Sequence, residues 1–411
     1  MIALLKELID INKTGTRKMK RSVTHNLWLH KFVYSAARFI AGRYFTKRYE
    51  FNYTPYQVKN KPCLFVINHS TGGDQFLCGI QFPEFMRFVA SEHVVRNGLG
   101  GRLIAFLQNP IPKYKGSQSD ETYELIKENL KSGTNVCIAV EGNRSSNGHT
   151  GFISSRIGDL VKESTGGMIT YRLEGGYLKQ PRWGKNLRSG PVTGVVVREY
   201  SREELDAMTE NQIYEAVKAD LFVDEYSRQR NDPVEYIADA PAEYLETALY
   251  ICPECGSIGT LHSKGSILSC ECGFAVTLNY YGFFEGNKLP FDNVYDWDVW
   301  QKEQIVERIP QFISQPDIPI TTDKEQTLTL LHTSQKPVTG TFTVYPDRFE
   351  FTNGNVITVF HVSDISQMAA VDRMTLLFTH NGNYYEVKSS IPRSAFKYIA
   401  LWRGLTGRKY E

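Results

Sequence analysis

The sequence contains no uninterrupted apolar run close to the length of about 18 residues that a membrane-spanning helix needs. It also has little net charge, a formal +2 over 411 residues, so bulk attraction to nucleic acid is excluded and attraction to an anionic surface must be local. Its first residues include Glu7 and lack the basic-then-apolar plan of a secretory signal. These absences predict a cytoplasmic protein that is either soluble or peripheral on the inner face of a membrane, and 411 residues leave room for two or three domains.

Cysteine is scarce as well, and its distribution separates two roles. Cys63, Cys78 and Cys137 stand singly in apolar surroundings, where a buried thiol behaves as a small hydrophobe. The other four form two knuckles, Cys252-Pro-Glu-Cys255 and Cys270-Glu-Cys272, which resemble a zinc ribbon. Four thiolates at this spacing favour a closed tetrahedral Zn²⁺ site without a position for reactive water, so the predicted zinc is structural. Two disulfides are the alternative, which strain and a reducing compartment disfavour.

The most informative stretch is His69-Ser70-Thr71-Gly72-Gly73-Asp74, which follows an apolar run at 62–67 typical of a buried strand. A carboxylate placed shortly after a histidine can hold one imidazole nitrogen as N–H. The other nitrogen is then free to take a proton from an alcohol or thiol. The alternative is a turn next to Gly-Gly with a capping aspartate.

A second strand-like run, 136–140, leads into Glu141-Gly142-Asn143-Arg144-Ser145, and a helical pattern at 120–133 lies between the two polar segments. In an α/β sheet, strand ends that carry polar groups can lie side by side, and ligands bind at that edge. The sequence therefore predicts one site built from both polar turns.

On these motifs, over roughly residues 60 to 200, the chain resembles the glycerolipid (1-acylglycerol-3-phosphate) acyltransferase family, whose signatures are His-x4-Asp and Glu-Gly-Thr-Arg-Ser. The resemblance implies transfer of a fatty acyl group from a coenzyme A or acyl carrier protein thioester to a glycerolipid hydroxyl. The expected acceptor is 1-acyl-sn-glycerol 3-phosphate, in phospholipid biosynthesis. The resemblance also implies that His69 is the catalytic base and that Asp74 orients it. Glu141, Gly142 and Arg144 would bind the acceptor, since a guanidinium matches a phosphate bidentately.

The resemblance is incomplete on the acceptor side. Asn143 stands where the family has threonine, Val140 stands where it usually has proline, and the family's arginine-bearing block between the motifs is hard to find. The nearest substitutes are Lys113 and Lys115. A lysine ammonium group acts as a point charge, whereas an arginine guanidinium can bind a phosphate through two parallel hydrogen bonds. Three later cations, Arg172, Arg182 and Lys185, either line the site or are solvated loop charges, and the second interpretation is favoured.

The pattern of elements predicts an α/β chain with a mixed-sheet acyltransferase domain at 59–245. A helical, membrane-associating segment precedes it at 1–58, and a zinc ribbon at 246–282, a helical linker at 283–321 and a β domain at 322–411 follow. The β domain alternates apolar and polar residues, has hairpin signals at Asn353-Gly354 and Asn381-Gly382, and ends in an amphipathic helix. This topology resembles a pleckstrin-homology or GRAM-like antiparallel β-barrel, a fold that does not by itself assign a ligand.

Residues 27–48 combine apolar side chains at helical spacing with basic ones, and a basic cluster at 13–21 precedes them. The pattern fits either an interfacial anchor on a membrane or a helix packed on the core with a solvated opposite face. Because a lipid acceptor has to be taken from a membrane, the expected partners are a lipid surface and the acyl thioester donor, and not nucleic acid.

Two other functions remain open on the sequence alone. A catalytically inactive membrane-binding scaffold would explain the missing arginine block, but it gives no reason to keep His69, Asp74, Glu141 and Arg144. A zinc hydrolase would need histidine ligands and an open coordination position, and no suitable histidine pair stands beside the cysteines.

Overall fold

The computed structural model describes residues 27–91, 110–113, 119–286, 290–331 and 333–408. The basic cluster at 13–21 and Lys115 lie outside these ranges. Its helices are α1 (Leu27–Tyr49), α2 (Asp74–Gln81), α3 (Ser119–Lys131), α4 (Arg156–Glu163), α5 (Gly176–Lys179), α6 (Arg202–Ala207), α7 (Glu210–Leu221), α8 (Glu225–Asn231), α9 (Val294–Ile313) and α10 (Ala395–Thr406).

The described strands belong to three sheets. They are β1 (Phe51–Asn52), β2 (Cys63–Ile67), β3 (Met86–Ser91), β4 (Ile111–Lys113), β5 (Asn135–Ala139), β6 (Gly167–Glu174), β7 (Val192–Tyr200), β8 (Leu261–Lys264), β9 (Ile267–Cys270), β10 (Ala275–Leu278), β11 (Phe284–Glu285), β12 (Thr321–Leu330), β13 (Val338–Val344), β14 (Arg348–Asn353), β15 (Val356–His361), β16 (Ile365–Ala370), β17 (Thr375–His380) and β18 (Asn383–Ser389).

The first sheet has the strand order β1-β7-β6-β2-β5-β3-β4. Its strands pair parallel except for β6 with β7, which pair antiparallel. The central strand β2 is buried along its whole length, as expected for a parallel strand covered on both faces. Phe65 belongs to the cluster that includes α2, whereas Leu64 and Val66 pack with α3, α4 and α7. The prediction of a mixed-sheet α/β domain is confirmed.

Parallel pairing decides where the two polar turns meet. Ile67 lies opposite Ala139, and these residues end β2 and β5. The segments that follow, His69 to Asp74 and Glu141 to Ser145, therefore leave the sheet from the same edge.

A four-stranded antiparallel sheet in the order β11-β10-β9-β8 follows the acyltransferase-like core. Helix α9 packs against it through Trp297, which is buried and donates from Nε1 to the carbonyl of Ile251 at 3.0 Å. Asn293 caps the helix, because its side chain accepts the N–H of Asp296.

The C-terminal sheet is antiparallel, in the order β15-β14-β13-β12-β18-β17-β16. Both hairpin predictions are confirmed: Gly354 has a φ of 54° between β14 and β15, and Asn381 and Gly382 have φ of 48° and 76° between β17 and β18. The prediction of a barrel is wrong in its closure, because the edge strands β15 and β16 do not pair in the described chain. Helix α10 packs against β16 and β17 and buries Leu401 and Trp402 there, so a helix covers this part of the core.

Candidate active site

His69 and Asp74 form a hydrogen-bonded pair, with Nδ1 of the imidazole 2.7 Å from Oδ2 of the carboxylate. The Asp74 side chain is buried and also accepts the backbone N–H groups of Ser70 and Thr71, each at 2.8 Å. These fixed donors keep the carboxylate an acceptor, so Nδ1 of His69 carries the proton and Nε2 presents a lone pair. The His69 side chain is 27% exposed, which leaves part of the ring open to a substrate.

The loop between β2 and α2 is fixed by tertiary contacts. The amide of buried Asn68 donates to the carbonyl of Leu173 at 2.9 Å and accepts the N–H of the same residue at 2.8 Å. Gly73 lies so close to the end of α1 that a Cβ would stand 2.6 Å from the hydroxyl oxygen of Tyr49. Glycine is therefore required there by packing, because any side chain would push Tyr49 away from the loop.

Glu141 holds the backbone of the same loop. One carboxylate oxygen accepts the N–H of His69 at 2.6 Å, and the other accepts the N–H of Gly151 at 2.5 Å. Burial raises the pKa of Glu141 to about 7, the two backbone hydrogen bonds oppose this rise, and the nearby Asp74 carboxylate adds to it. The contact of Glu141 with an acceptor hydroxyl stays a prediction, whereas its contact with His69 was not predicted.

Arg144 lies beside the loop that carries the histidine. Its Nη2 donates to the carbonyl of Gln180 at 2.8 Å, and its Nη1 is 3.7 Å from the position that a Cβ on Gly72 would take. Its Nε is buried and has no hydrogen-bond partner within the described ranges. Burial lowers the pKa of Arg144, while the charge of Asp74 opposes that change. The guanidinium therefore has one unsatisfied, buried donor near the histidine loop.

Lys113 ends β4 and approaches the second motif. Its Nζ lies 3.5 Å from the position that a Cβ on Gly142 would occupy, so the ammonium group stands beside this glycine. A cleft of about 80 Å³ is lined by Lys113, Tyr123, Val140 and Ile157 among others. The structure thus brings Lys113 to the second motif.

Gln180 and Tyr49 complete the surroundings of the loop without any signal in the sequence. Oε1 of Gln180 accepts the N–H of Gly72 at 2.9 Å and the hydroxyl of Tyr49 at 3.3 Å. Both residues reach the loop through tertiary packing, so local spacing could not reveal them.

The three later cations have different surroundings. Arg172 forms an ion pair with Glu174 at 2.7 Å, and Lys185 is exposed. Arg182 is partly buried, with its guanidinium 4.8 Å from the ring centroid of Phe396, and burial lowers its pKa to about 10. The interpretation as a solvated loop charge is therefore wrong for Arg182.

The four clustered cysteines converge in the second sheet. Their sulfur atoms all lie within 4.8 Å of one another, and none of them is in a disulfide. Sγ of Cys252 is 3.7 Å from Sγ of Cys272, and Sγ of Cys255 is 3.8 Å from Sγ of Cys270. A tetrahedral ion with metal–sulfur bonds of about 2.3 Å would separate its ligands by about 3.8 Å, so the cluster could bind a metal ion.

Helix α1 has two different faces. Toward α2, Arg38 donates from Nε to the carbonyl of Gly79 and from Nη2 to that of Ile80, at 3.1 and 3.0 Å. On the opposite side, Phe39 and Ile40 are 71% and 75% exposed. None of the helices in the described ranges has both the length and the apolarity that crossing a membrane requires.

The core of this site matches a known family. Residues 48–174 match the family model described as Acyltransferase, and this stretch contains both motifs. Among solved structures, the chain is similar to the crystal structure of the 1-acyl-sn-glycerophosphate (LPA) acyltransferase PlsC from Thermotoga maritima. The identity is 15% and the TM-score 0.41, over 53% of this chain and 85% of that chain. A comparison with curated proteins found no match.

Proposed function

We propose that the chain transfers a fatty acyl group from a thioester to the hydroxyl of a phosphate-bearing glycerolipid, 1-acyl-sn-glycerol 3-phosphate, in phospholipid biosynthesis. The observation that carries the proposal is the 2.7 Å hydrogen bond between His69 and Asp74, at the sheet edge shared with Glu141 and Arg144. The family match over both motifs supports the reaction class. The donor is the thioester of coenzyme A or of acyl carrier protein.

In the proposed reaction the acceptor hydroxyl attacks the thioester carbonyl directly. Nε2 of His69 takes the hydroxyl proton as the new carbon–oxygen bond forms, and Asp74 stabilises the resulting imidazolium through Nδ1. The carbon–sulfur bond then breaks, and the imidazolium returns its proton to the leaving thiolate. Glu141 keeps the His69 backbone in place during these steps. Because the substrate supplies the nucleophile, no acyl-enzyme forms.

We assign the acceptor phosphate to the cationic side of the site. Arg144 offers a guanidinium with a buried, unpartnered Nε, and Lys113 brings an ammonium group to Gly142. A guanidinium binds phosphate through two parallel hydrogen bonds, whereas an ammonium group acts as a point charge. Arg144 would therefore orient the phosphate and Lys113 would add attraction.

The lipid acceptor is taken from a membrane that α1 contacts. Exposed Phe39 and Ile40 stand on the same helix as exposed Arg43, Lys47 and Arg48. Apolar side chains among basic ones are what a helix at an anionic lipid surface needs, because the former enter the interface and the latter face the headgroups. The opposite face of the helix packs on the acyltransferase domain, which would hold the site close to the lipid.

We assign the cysteine cluster to structural Zn²⁺ held by Cys252, Cys255, Cys270 and Cys272. Four thiolates are soft ligands that suit this ion, and the 3.7 and 3.8 Å separations fit tetrahedral coordination. Because all four positions are filled by protein ligands, the ion would stabilise the fold and take no part in acyl transfer.

Incubation with labelled acyl-coenzyme A or acyl carrier protein and a panel of acceptors tests the proposed function. The panel contains lysophosphatidate, glycerol 3-phosphate, a neutral monoacylglycerol and other lysolipids. Label is expected in phosphatidate, with less transfer to the neutral acceptor. Equal transfer to neutral and phosphate-bearing acceptors would contradict the substrate class.

A further inference from the structure

A short segment, residues 180–184, contacts both the catalytic loop region and the C-terminal sheet. On one side, the carbonyl of Gln180 accepts a hydrogen bond from Arg144 at 2.8 Å. On the other, Nη1 of Arg373 donates to the carbonyls of Trp183 and Gly184 at 3.1 and 2.6 Å. Arg373 lies in the turn between β16 and β17, so the C-terminal sheet reaches the surroundings of the acyltransferase site.

The turn that carries Arg373 is held firmly. The Asp372 carboxylate accepts the N–H of Met374 at 2.7 Å and the hydroxyl of Thr375 at 3.0 Å. The carbonyl of Arg373 accepts the N–H of Ala395, the first residue of α10, at 3.2 Å. The position of Arg373 is therefore set by the C-terminal domain and does not depend on a loose surface loop.

Arg182 stands on the same segment and faces the same turn. Its Nη2 lies 3.4 Å from the carbonyl of Ala370, the last residue of β16. Its neighbours Pro181 and Trp183 are buried, and Nε1 of Trp183 donates to the hydroxyl of Tyr177 at 2.9 Å. The backbone that carries Arg182 is thus anchored on both sides of the residue.

The three guanidiniums are close enough to affect one another. The charge of Arg373 lowers the pKa of Arg144, and the charge of Arg144 lowers that of Arg182, in each case adding to the larger effect of burial. Two carboxylates oppose this effect in part, Asp74 beside Arg144 and Asp372 beside Arg182, and both also accept hydrogen bonds within their own loop or turn. Positive charge therefore collects around the segment 180–184, and an anion bound there would neutralise it.

We propose that Arg182 and Arg373 join Arg144 in binding the phosphate group of the acceptor, so that the C-terminal sheet completes the acceptor side of the acyltransferase site. This inference rests on the proposed function. A phosphate has several oxygens, and guanidiniums from three segments can bind it with directed hydrogen bonds. These arginines supply guanidinium groups, which can bind a phosphate through two hydrogen bonds at once. In the described part of the segment between the two motifs, the cation beside the second motif is Lys113, which offers only an ammonium group.

The test measures binding to the full chain by isothermal titration calorimetry with water-soluble hexanoyl lysophosphatidate, its phosphate-free analogue monohexanoylglycerol, and inorganic phosphate. The variants are Arg373→Gln and Arg182→Gln, and Lys388→Gln, an exposed residue of the same C-terminal sheet, is the control. Each arginine variant is expected to bind the lysophosphatidate about tenfold more weakly, and the control to match wild type. Affinity for monohexanoylglycerol is expected to be low and equal in all proteins.

Three results would overturn the inference. They are equal wild-type affinity for the compounds with and without phosphate, equally tight binding of inorganic phosphate, and arginine variants with a lower Tm but unchanged affinity. The last result would show that the arginines only stabilise the contact between the C-terminal sheet and the segment 180–184. The experiment distinguishes this inference from the proposed reaction. Selective binding of lysophosphatidate without acyl transfer would support the phosphate site and contradict the reaction. Acyl transfer with an unchanged acceptor KM in both arginine variants would support the reaction and contradict the phosphate site.

Discussion

Burial and hydrogen bonding have opposite effects on the pKa of the Glu141 carboxyl. Burial disfavours its ionised form, whereas the N–H groups of His69 and Gly151 favour that form. The net effect places its pKa at about 7, so this anchor of the catalytic loop changes charge near neutral pH. The order of the loop around His69 therefore depends on pH through a residue that does not itself react.

We expect Glu141 to make the folded protein less stable as pH rises from about 5 to 8. Its pKa is about 7 in the folded chain against an ordinary 4.5, so the folded state binds more protons in this window. The stabilising contribution is present at low pH and lost through pH 7, by up to about 3 kcal/mol. Urea unfolding at several pH values should therefore show a smaller fall in the free energy of unfolding for Glu141→Gln than for wild type.

The control is Glu121→Gln, which changes an exposed carboxylate on α3. It is expected to keep the wild-type dependence of stability on pH. If Glu141→Gln also keeps it, the account of the buried carboxylate fails.

Contacts close in sequence were predictable at this scale, and distant ones were not. His69 and Asp74 share one loop, so their spacing was enough to predict the pair. The hydrogen bond from the His69 N–H to Glu141 also depends on the register in which β2 pairs with β5. No sequence motif specifies that register. Gln180 lies still farther along the chain and reaches the His69 loop only through tertiary packing, and Arg373 reaches the segment 180–184 only through packing of the C-terminal sheet.

At the scale of elements, α1 has one face packed on its neighbours and one face left exposed. One face is hydrogen bonded to α2 through Arg38, and the other exposes large apolar side chains beside basic ones. Helical spacing indicated the helix, but it could not tell which residues a neighbouring helix would cover. The proposed membrane contact belongs to the exposed face alone.

We expect Ile40→Glu to weaken binding to vesicles that contain anionic phosphatidylglycerol by at least about tenfold. The change removes an apolar group worth about 1.5 to 3 kcal/mol on burial and adds a charge that the anionic surface repels. Val356→Glu is the matched control, because Val356 is 67% exposed on β15 against 75% for Ile40 on α1. Vesicle sedimentation measures both, and equal effects of the two changes would contradict an interface at α1.

The C-terminal sheet shows a similar limit of sequence reasoning. Alternating residues and the Asn-Gly turns predicted strands and hairpins, because both are local features. Closure of a barrel depends on whether two edge strands far apart in sequence pair. Here α10 packs against β16 and β17, and the edge strands β15 and β16 stay unpaired within the residues that the structure describes.

At the scale of the whole molecule, the three sheets are connected by more than chain continuity. Helix α9 is bound to the cysteine-bearing segment through Trp297 and Ile251, and its Ile305 lies in the core of the C-terminal sheet. The segment 180–184 links that sheet to the acyltransferase site. A metal ion in the cysteine cluster would therefore stabilise the segment that binds α9, and α9 in turn packs against the C-terminal sheet.

We expect purified protein to contain about one zinc ion per chain by mass spectrometry, as a four-thiolate site implies. Cys272→Ser should lose the ion and lower Tm, because metal binding contributes directly to the stability of such small sheets. Glu271→Gln is the control, since it alters an exposed carboxylate between two ligands without removing a thiolate. Wild-type zinc content in Cys272→Ser would argue against this ligand set.

The most direct test of the central claim compares acyl transfer by wild type and His69→Gln in single-turnover experiments with a labelled thioester and lysophosphatidate. If His69 is the base for direct attack, the variant should lose transfer by at least about 100-fold while keeping its fold and zinc content. Wild type should then form labelled phosphatidate without any labelled protein. Substantial turnover by His69→Gln, or a labelled acyl-enzyme in wild type, would contradict the account. Vesicle binding without transfer by either protein would identify a membrane-binding scaffold.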